Sequence, residues 1–478
     1  DTLGHLSKLL APGGCFGIVE KVRSEPWVDL VWGLAEGWWL FTDTDIRPHT
    51  PLMAADKWER LLNQIGLESV EVFPRTATGR AETDYALLLA QTSNVPAIDV
   101  SGWFHEITWN ETPHVRTDRE IVEFDAADGL TALMSLATEI GRDPRDKTLL
   151  MRTDNSPRQL MLRGALRVIE KEYPQVTCQH LSQTGSELSP QTHPLISLPQ
   201  DKFLLRTEGV YIITGGFGSM GRVFARELAR THRARLVLLG RQVEGSENTS
   251  FISELESSGA KVLARSTDVS DPAAVQEIFR EARDVFGTIH GVIHAAGIYG
   301  QGLIPGRSKD AIAATLAPKI QGTENIAAAC ADHPLDWLIL CSSMAGIRPE
   351  AGQVDYAVAN AFLDAFATDY RNRTGTVTSS VGWGVWQELG MMDHNALSAD
   401  QKQAVRDEIE REGWDNIGAT LWQHLINHGA GLSHLVITPQ PITELRLPPR
   451  HPLLKAREDL HNGQIAYNLK LDPKSQWG

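Results

Sequence analysis

Residues 209–229, GVYIITGGFGSMGRVFARELA, read as a strand, a glycine turn and a helix. Gly216-Phe217-Gly218-Ser219-Met220-Gly221 satisfies GxGxxG in the context that gives the motif meaning, after a strand and opening a helix. Glycines there permit a tight turn and a close approach of backbone to a pyrophosphate, whose charge sits at the helix N-terminus. Strand-like runs then recur at 209–213, 235–239, 261–264, 289–293, 336–340, 377–382 and 434–437, with helical segments between them. Such alternation implies a parallel sheet with right-handed crossovers. The expected fold class is therefore α/β, with a doubly wound, Rossmann-like parallel sheet.

Three further strand ends fit a dinucleotide. Thr214 and Gly215 lead into the glycine turn, and the second strand ends at Arg241, where a guanidinium suits a 2′-phosphate better than ribose hydroxyls. NADPH is thus favoured over NAD. Asp268 and Val269 follow the third strand as contacts for the adenine, and Ala295-Ala296-Gly297 place small residues after the fourth, where nicotinamide and ribose would pass. His294 beside them reads as a packed, hydrogen-bonded residue.

The stretch 335–362, LDWLILCSSMAGIRPEAGQVDYAVANAF, carries the chemistry. Its apolar strand delivers Ser342-Ser343 at a carboxyl end, where open α/β sheets bind ligands. Tyr356 and Asn360 are four apart, and positions i and i+4 share a helix face. A serine hydroxyl can hold a carbonyl oxygen while a tyrosine phenol supplies a proton, which is carbonyl reduction. Lys319 lies on the preceding helical segment, 24 residues before Ser343 and 37 before Tyr356; a lysine near a phenol lowers its pKa.

Composition narrows the class. The 478 residues suggest about three domains. With 42% apolar and 22% charged residues they describe an ordinary globular chain. A net charge of −15 argues against nucleic acid or an anionic membrane as partner. Cys15, Cys178, Cys330 and Cys341 are too far apart for a metal motif or a dense disulfide framework, which points to no metal and to a reducing, cytoplasmic setting. No apolar run approaches the length of a membrane span.

The spacing of Lys319, Ser343, Tyr356 and Asn360, with TGGFGSMG, LLGR, HAAG, PKIQGT, CSSMAG, DYAVANAFLDAFA and VGWGVW in that order, resembles the ketoreductase domain of modular polyketide synthases. That family belongs to the short-chain dehydrogenase/reductase superfamily, most of whose members carry the lysine four residues after the tyrosine. The resemblance implies a catalytic, NADPH-binding subdomain over 206–460 and a structural subdomain over 76–205, a second, degenerate Rossmann-like sheet without a site. It implies Tyr356 as proton donor, Ser343 as the group that polarises the ketone, and Lys319 and Asn360 as the relay. By resemblance, Trp383 and Met391 contribute to substrate binding, with 387–412 as a lid. The implied reaction is reduction of a β-ketoacyl thioester on the phosphopantetheine of an acyl carrier protein, beside other synthase domains of the same polypeptide. Ser219 replaces a usual glycine. Tyr299-Gly300-Gln301 stands where one stereochemical class has Leu-Asp-Asp, which leans toward the class giving the L-alcohol, although Arg348 replaces that class's tryptophan.

Residues 1–75 (helix, LAPGG turn, a strand ending at Glu20, GLAEGWWLF, then a helix with Trp58 and Leu61-Leu62) resemble the tail of a polyketide synthase C-methyltransferase domain. Glu20 matches the family's glutamate; the partner histidine and the S-adenosylmethionine loop would precede residue 1, so this remnant is expected not to methylate. The opening DTLGHLSKLLAPGG reads as mid-helix, a piece of something longer. Residues 76–83 read as a polar linker, 182–202 as a loop, and 461–478 as a linker toward a following domain. The rival readings are a reductase-inactive scaffold, an α-methyl-epimerising domain of the same build, and an active methyltransferase.

Overall fold

In the computed structural model the chain forms two compact units, Asp1–Asp99 and Val100–Gly478. The structure describes residues 10, 14–23, 25–32, 34–35, 38–40, 47, 49–64, 67–91, 100–112, 119–182, 184–195, 201–384, 417–438, 454–459 and 465–469.

The first unit contains β1 (Cys15–Lys21), α1 (Pro26–Trp32), α2 (Ala55–Gln64), β2 (Glu68–Phe73), α3 (Ala77–Glu82) and β3 (Tyr85–Gln91). β3 lies between β1 and β2 and runs antiparallel to both. Its alternation is that of a half-buried strand, with Ala86, Leu88 and Ala90 packed on Leu62 of α2 and Val72 of β2. The expected boundary at 75/76 thus falls inside this unit, because the central strand of its sheet comes after it. The expected linker 76–83 contains α3, whose N-terminus is capped by Thr76 accepting from the Gly79 N–H at 3.1 Å.

The second unit begins with β4 (Phe104–Thr112), β5 (Glu120–Asp125), α4 (Gly129–Ile140), β6 (Lys147–Arg152), α5 (Pro157–Leu160), α6 (Leu162–Glu172), β7 (Val176–Leu181) and β8 (Glu187–Pro194). It continues with β9 (Val210–Thr214), α7 (Ser219–His232), β10 (Arg235–Gly240), α8 (Ser246–Ser257), β11 (Lys261–Ser266), α9 (Pro272–Phe286), β12 (Ile289–His294) and α10 (Lys309–Ala329). Then come β13 (Trp337–Ser343), α11 (Val354–Thr374), β14 (Val377–Trp383), α12 (Gly418–His428), β15 (His434–Ile437) and the hairpin β16 (Leu454–Asp459) with β17 (Ile465–Leu469). The expected strands are all present, each within a few residues of its sequence bounds.

Both parallel blocks expected from the sequence exist, β9–β15 and β5–β7, and they share one sheet. Its order is β11-β10-β9-β12-β13-β14-β15-β4-β8-β7-β6-β5. The join is an antiparallel pairing of β4 with β15, Ile437 opposite Phe104 and Leu435 opposite Glu106. β8 lies in a segment that reads as loop, since two prolines and polar residues hide any alternation; eight cross-strand partners on β4 make it a strand. Strand order reverses between β9 and β12, the switch point at which such sheets open a crevice.

Helix α11 is buried along most of its length, and α6 packs against it. At Gly164 the two backbones meet: a Cβ there would lie 2.6 Å from the Ala357 carbonyl carbon and oxygen. Gly164→Ala is expected to destabilise the second unit by about 1–3 kcal/mol through overpacking. Gly102→Ala, where a Cβ meets nothing within 4 Å, serves as the control. Equal urea midpoints for the two variants would refute the close packing.

Candidate active site

The glycine turn joins β9 to α7. Gly215 adopts φ +66°, and a Cβ there would meet the Ala295 carbonyl oxygen at 2.8 Å, so glycine is required both by conformation and by space. A Cβ on Gly221 would lie 2.3 Å from the Gly215 carbonyl oxygen. Gly218 is exposed at the N-cap of α7 and no side chain caps the first turn. That leaves an N-terminus open for an anion, flanked by Phe217, Ser219 and Met220. The cradle fits a dinucleotide pyrophosphate.

Around it, the predicted residues take distinct places. Arg241 is exposed just past β10, and no carboxylate among the described residues pairs with it. Asp268 is exposed and Val269 buried after β11, and the neighbouring Thr267 hydroxyl is buried without a partner. Ala295, Ala296 and Gly297 are half-buried after β12. The Thr214 side chain is engaged in structure: its hydroxyl lies 2.7 Å from His294 Nδ1 and accepts from the Ala296 N–H at 3.3 Å. His294 Nε2 lies 3.0 Å from the Pro318 carbonyl. A carbonyl only accepts, so Nε2 carries the proton and Nδ1 accepts from Thr214. Burial, with the Lys319 charge nearby, pulls the pKa of His294 down to about 3, and the ring is neutral.

Ser343 ends β13, and Tyr356 and Asn360 occupy successive turns of α11. The Tyr356 phenol is buried, which raises its pKa, while hydrogen bonding by Ser343 and Asn360 opposes the rise. The structure therefore brings these three together. Asn360 is fully buried; its Nδ2 donates to the Tyr356 carbonyl at 2.8 Å, and its Oδ1 has no partner. Lys319 is buried in α10. Its ammonium donates to the Cys341 carbonyl at 2.6 Å, two residues before Ser343, and burial pulls its pKa down to about 8.

Trp383, at the end of β14, is buried with its ring 5.8 Å from Phe224, so it packs against α7. Met391 and the expected lid 387–412 lie outside the described residues. Sequence reasoning treated Tyr299 only as a departure; its ring stands edge-on to Tyr356, centroids 5.0 Å apart, and its hydroxyl accepts from Gln353 Nε2 at 3.0 Å. It also missed the ion pair of Arg307 with the buried Asp355, directly before Tyr356. An Asp beside the tyrosine was visible, but its partner is 48 residues away in sequence.

Residues 209–388 match the family model described as KR domain. This part of the chain is a ketoreductase domain of the polyketide synthase kind. The chain is 37% identical over 259 residues to polyketide synthase PksL of Bacillus subtilis, spanning 48% of this chain and 6% of that protein. It is 36% identical over 193 residues to PksN of the same organism, spanning 39% of this chain and 4% of the relative. Among solved structures, a ketoreductase domain from the bacillaene assembly line superposes with a TM-score of 0.59 at 22% identity, covering 70% of this chain and 96% of that one. The A-type ketoreductases of a modular polyketide synthase give 0.59 at 20% identity, covering 71% and 93%. These structures share the fold, a Rossmann-like α/β sheet.

No helix among the described residues is long and apolar enough to cross a membrane, and no group of three or more His, Cys, Asp or Glu among them is arranged to hold a metal. Thr214→Val would leave His294 Nδ1 and the Ala296 N–H of this ketoreductase without their partner. It is expected to cost about 1–3 kcal/mol, read as a lower urea midpoint at unchanged m. No change in midpoint would show that the hydroxyl holds neither group.

Proposed function

We propose that the ketoreductase domain reduces a β-ketoacyl thioester, carried on the phosphopantetheine of an acyl carrier protein, to the β-hydroxyacyl thioester with NADPH. The observation that carries this reading is the meeting of Ser343, Tyr356 and Asn360 at the carboxyl end of the sheet, across the switch point from the glycine cradle. NADPH, when bound, supplies the hydride that adds to the β-carbon. Gly215, Gly216, Gly218 and Gly221 would admit its pyrophosphate, and Arg241 its 2′-phosphate. Ser343 donates a hydrogen bond to the ketone oxygen and orients it. Tyr356, kept protonated at neutral pH by its raised pKa, passes its phenolic proton to that oxygen as the carbonyl becomes an alcohol. Asn360 Oδ1, buried and unpaired, is placed to hold a water through which the phenol regains a proton, and Lys319 supplies a positive charge beneath the strand end.

For the first unit we infer a methyltransferase remnant. Support comes from its sheet, in which the late strand β3 is inserted antiparallel between two earlier, mutually parallel strands, and from Glu20 on β1, whose carboxyl pKa burial raises. Residues 1–75 hold no glycine-rich loop for S-adenosylmethionine. A structural subdomain that follows the first unit and ends near 205, the further partition at 206–460 and 461–478, the company of other synthase domains, and a cytoplasmic setting consistent with free Cys15, Cys178, Cys330 and Cys341 belong to the same proposal.

The test is NADPH oxidation with a short 2-methyl-3-ketoacyl thioester. Tyr356→Phe is expected to lower kcat by roughly 10²–10⁴-fold with NADPH affinity retained. Arg241→Ala is expected to weaken NADPH about 10- to 100-fold and to leave NADH binding as it was. NADPH binding by the unaltered protein without turnover would replace this reading with the scaffold or epimerase one. A calorimetric titration with S-adenosylmethionine is expected to be flat; measurable binding would refute the remnant.

A further inference from the structure

The block β5–β8 with its helices has no site of its own, yet the last residue of α6 reaches the catalytic block. Glu172 Oε2 accepts from the Ile304 N–H at 2.8 Å, and Oε1 accepts from the Gly352 N–H at 2.9 Å. Those amides belong to two different loops, one after β12 and one before α11. The loops also meet directly: the Gly302 N–H donates to the Gly352 carbonyl at 2.8 Å. Both glycines need their conformations, φ +147° at Gly302 and +85° at Gly352.

A glutamate at the C-terminal end of a helix is on the wrong end of the dipole. Burial raises the pKa of its carboxyl, and the Ile304 and Gly352 N–H groups oppose that rise; among the described residues no ion pair to Glu172 is formed. Local helix energetics therefore disfavour Glu172, and its contacts are those of a clamp. What the clamp fixes is informative. The first loop carries Tyr299, edge-on to the Tyr356 ring, and Arg307, paired to Asp355. The second leads through Gln353, which donates to Tyr299, into Tyr356 itself.

We propose that Glu172 is a positioning residue for ketone reduction: by binding one amide of each loop it sets the Tyr299 ring against Tyr356 and so fixes the orientation in which the ketone meets the proton donor. This inference rests on the reductase reading above.

The test compares the unaltered protein with Glu172→Gln, Glu172→Asp and Arg158→Ala. The glutamine keeps one acceptor and turns an N–H toward the other amide. The aspartate keeps two acceptors on a shorter arm. Arg158, bidentate to Glu324 at 2.9 and 2.5 Å, joins the same two blocks without touching either loop. Expected for Glu172→Gln are a fall in kcat/KM for the 2-methyl-3-ketoacyl thioester of about 10- to 100-fold, the size that a small misplacement costs, a product stereoisomer ratio shifted toward a mixture, and an unchanged NADPH Kd. Glu172→Asp should recover part of the ratio, and Arg158→Ala should leave it alone. A ratio unmoved in Glu172→Gln, or moved equally in Arg158→Ala, would overturn the proposal. Amide exchange separates this inference from its parent. If the unaltered protein fails to turn over, the reductase reading falls, and protection of the Ile304 and Gly352 amides then decides the clamp: fast exchange in the unaltered protein, or protection kept in Glu172→Gln, overturns it.

Discussion

At Gly164 the backbone of α6 lies against that of α11, with no room for a side chain between them. The rest of the second unit depends on that approach. α11 carries Tyr356 and Asn360, and a helix placed this closely has little freedom to tilt or slide. One face meets β13 and β14, and another meets α6 and α10. The hydrophobic core is accordingly continuous across the join, from Leu133, Leu149 and Ile169 of one block to Val358, Phe362 and Leu363 of α11. The β5–β8 block is thereby part of what makes the site rigid.

Polar groups at the same join are buried, and several of them reach partners on other elements. The Arg163 guanidinium lies 3.8 Å from the ring centroid of Trp109, and that of Arg167 lies 5.4 Å away while donating to the Ile347 carbonyl. Burial pulls their pKa values down to about 9 and about 10. Asp364, two turns beyond Tyr356, accepts from the Ser380 hydroxyl at 2.6 Å and has His434 Nε2 at 3.4 Å. Burial lowers the pKa of His434, so the neutral ring is favoured there. Buried charges of this kind add little net stability, because desolvation opposes their attraction, but each is costly to misplace. They are suited to holding one register of β4, α6, α11 and β14 against the others.

Much of the fold was legible because its signals are local. A strand, a glycine turn and a helix within 209–229 can be read one after another, and the four-residue step from Tyr356 to Asn360 needs only the helical repeat. Where pairing decides the structure, reading residues in order fell short. β8 has two prolines and no alternation, and only β4 makes it a strand. β3 lies beyond the point where the first unit seemed to end, and it is the centre of that unit's sheet. α3 was hidden by its short, polar sequence, although Thr76 at its start was the available sign.

Sequence by itself determined the α/β alternation, the glycine cradle, and the residues that meet at the carboxyl end of β13, because these follow from backbone sterics and from the periodicity of short segments. Tertiary structure alone decided that the two parallel blocks share one sheet, that Lys319 reaches the Cys341 carbonyl, and that Asp355 finds Arg307. It alone decided that Glu172 binds amides 132 and 180 residues away. Contacts over such separations arise from packing the whole unit at once, and no local pattern encodes which distant backbone group will stand opposite a given side chain.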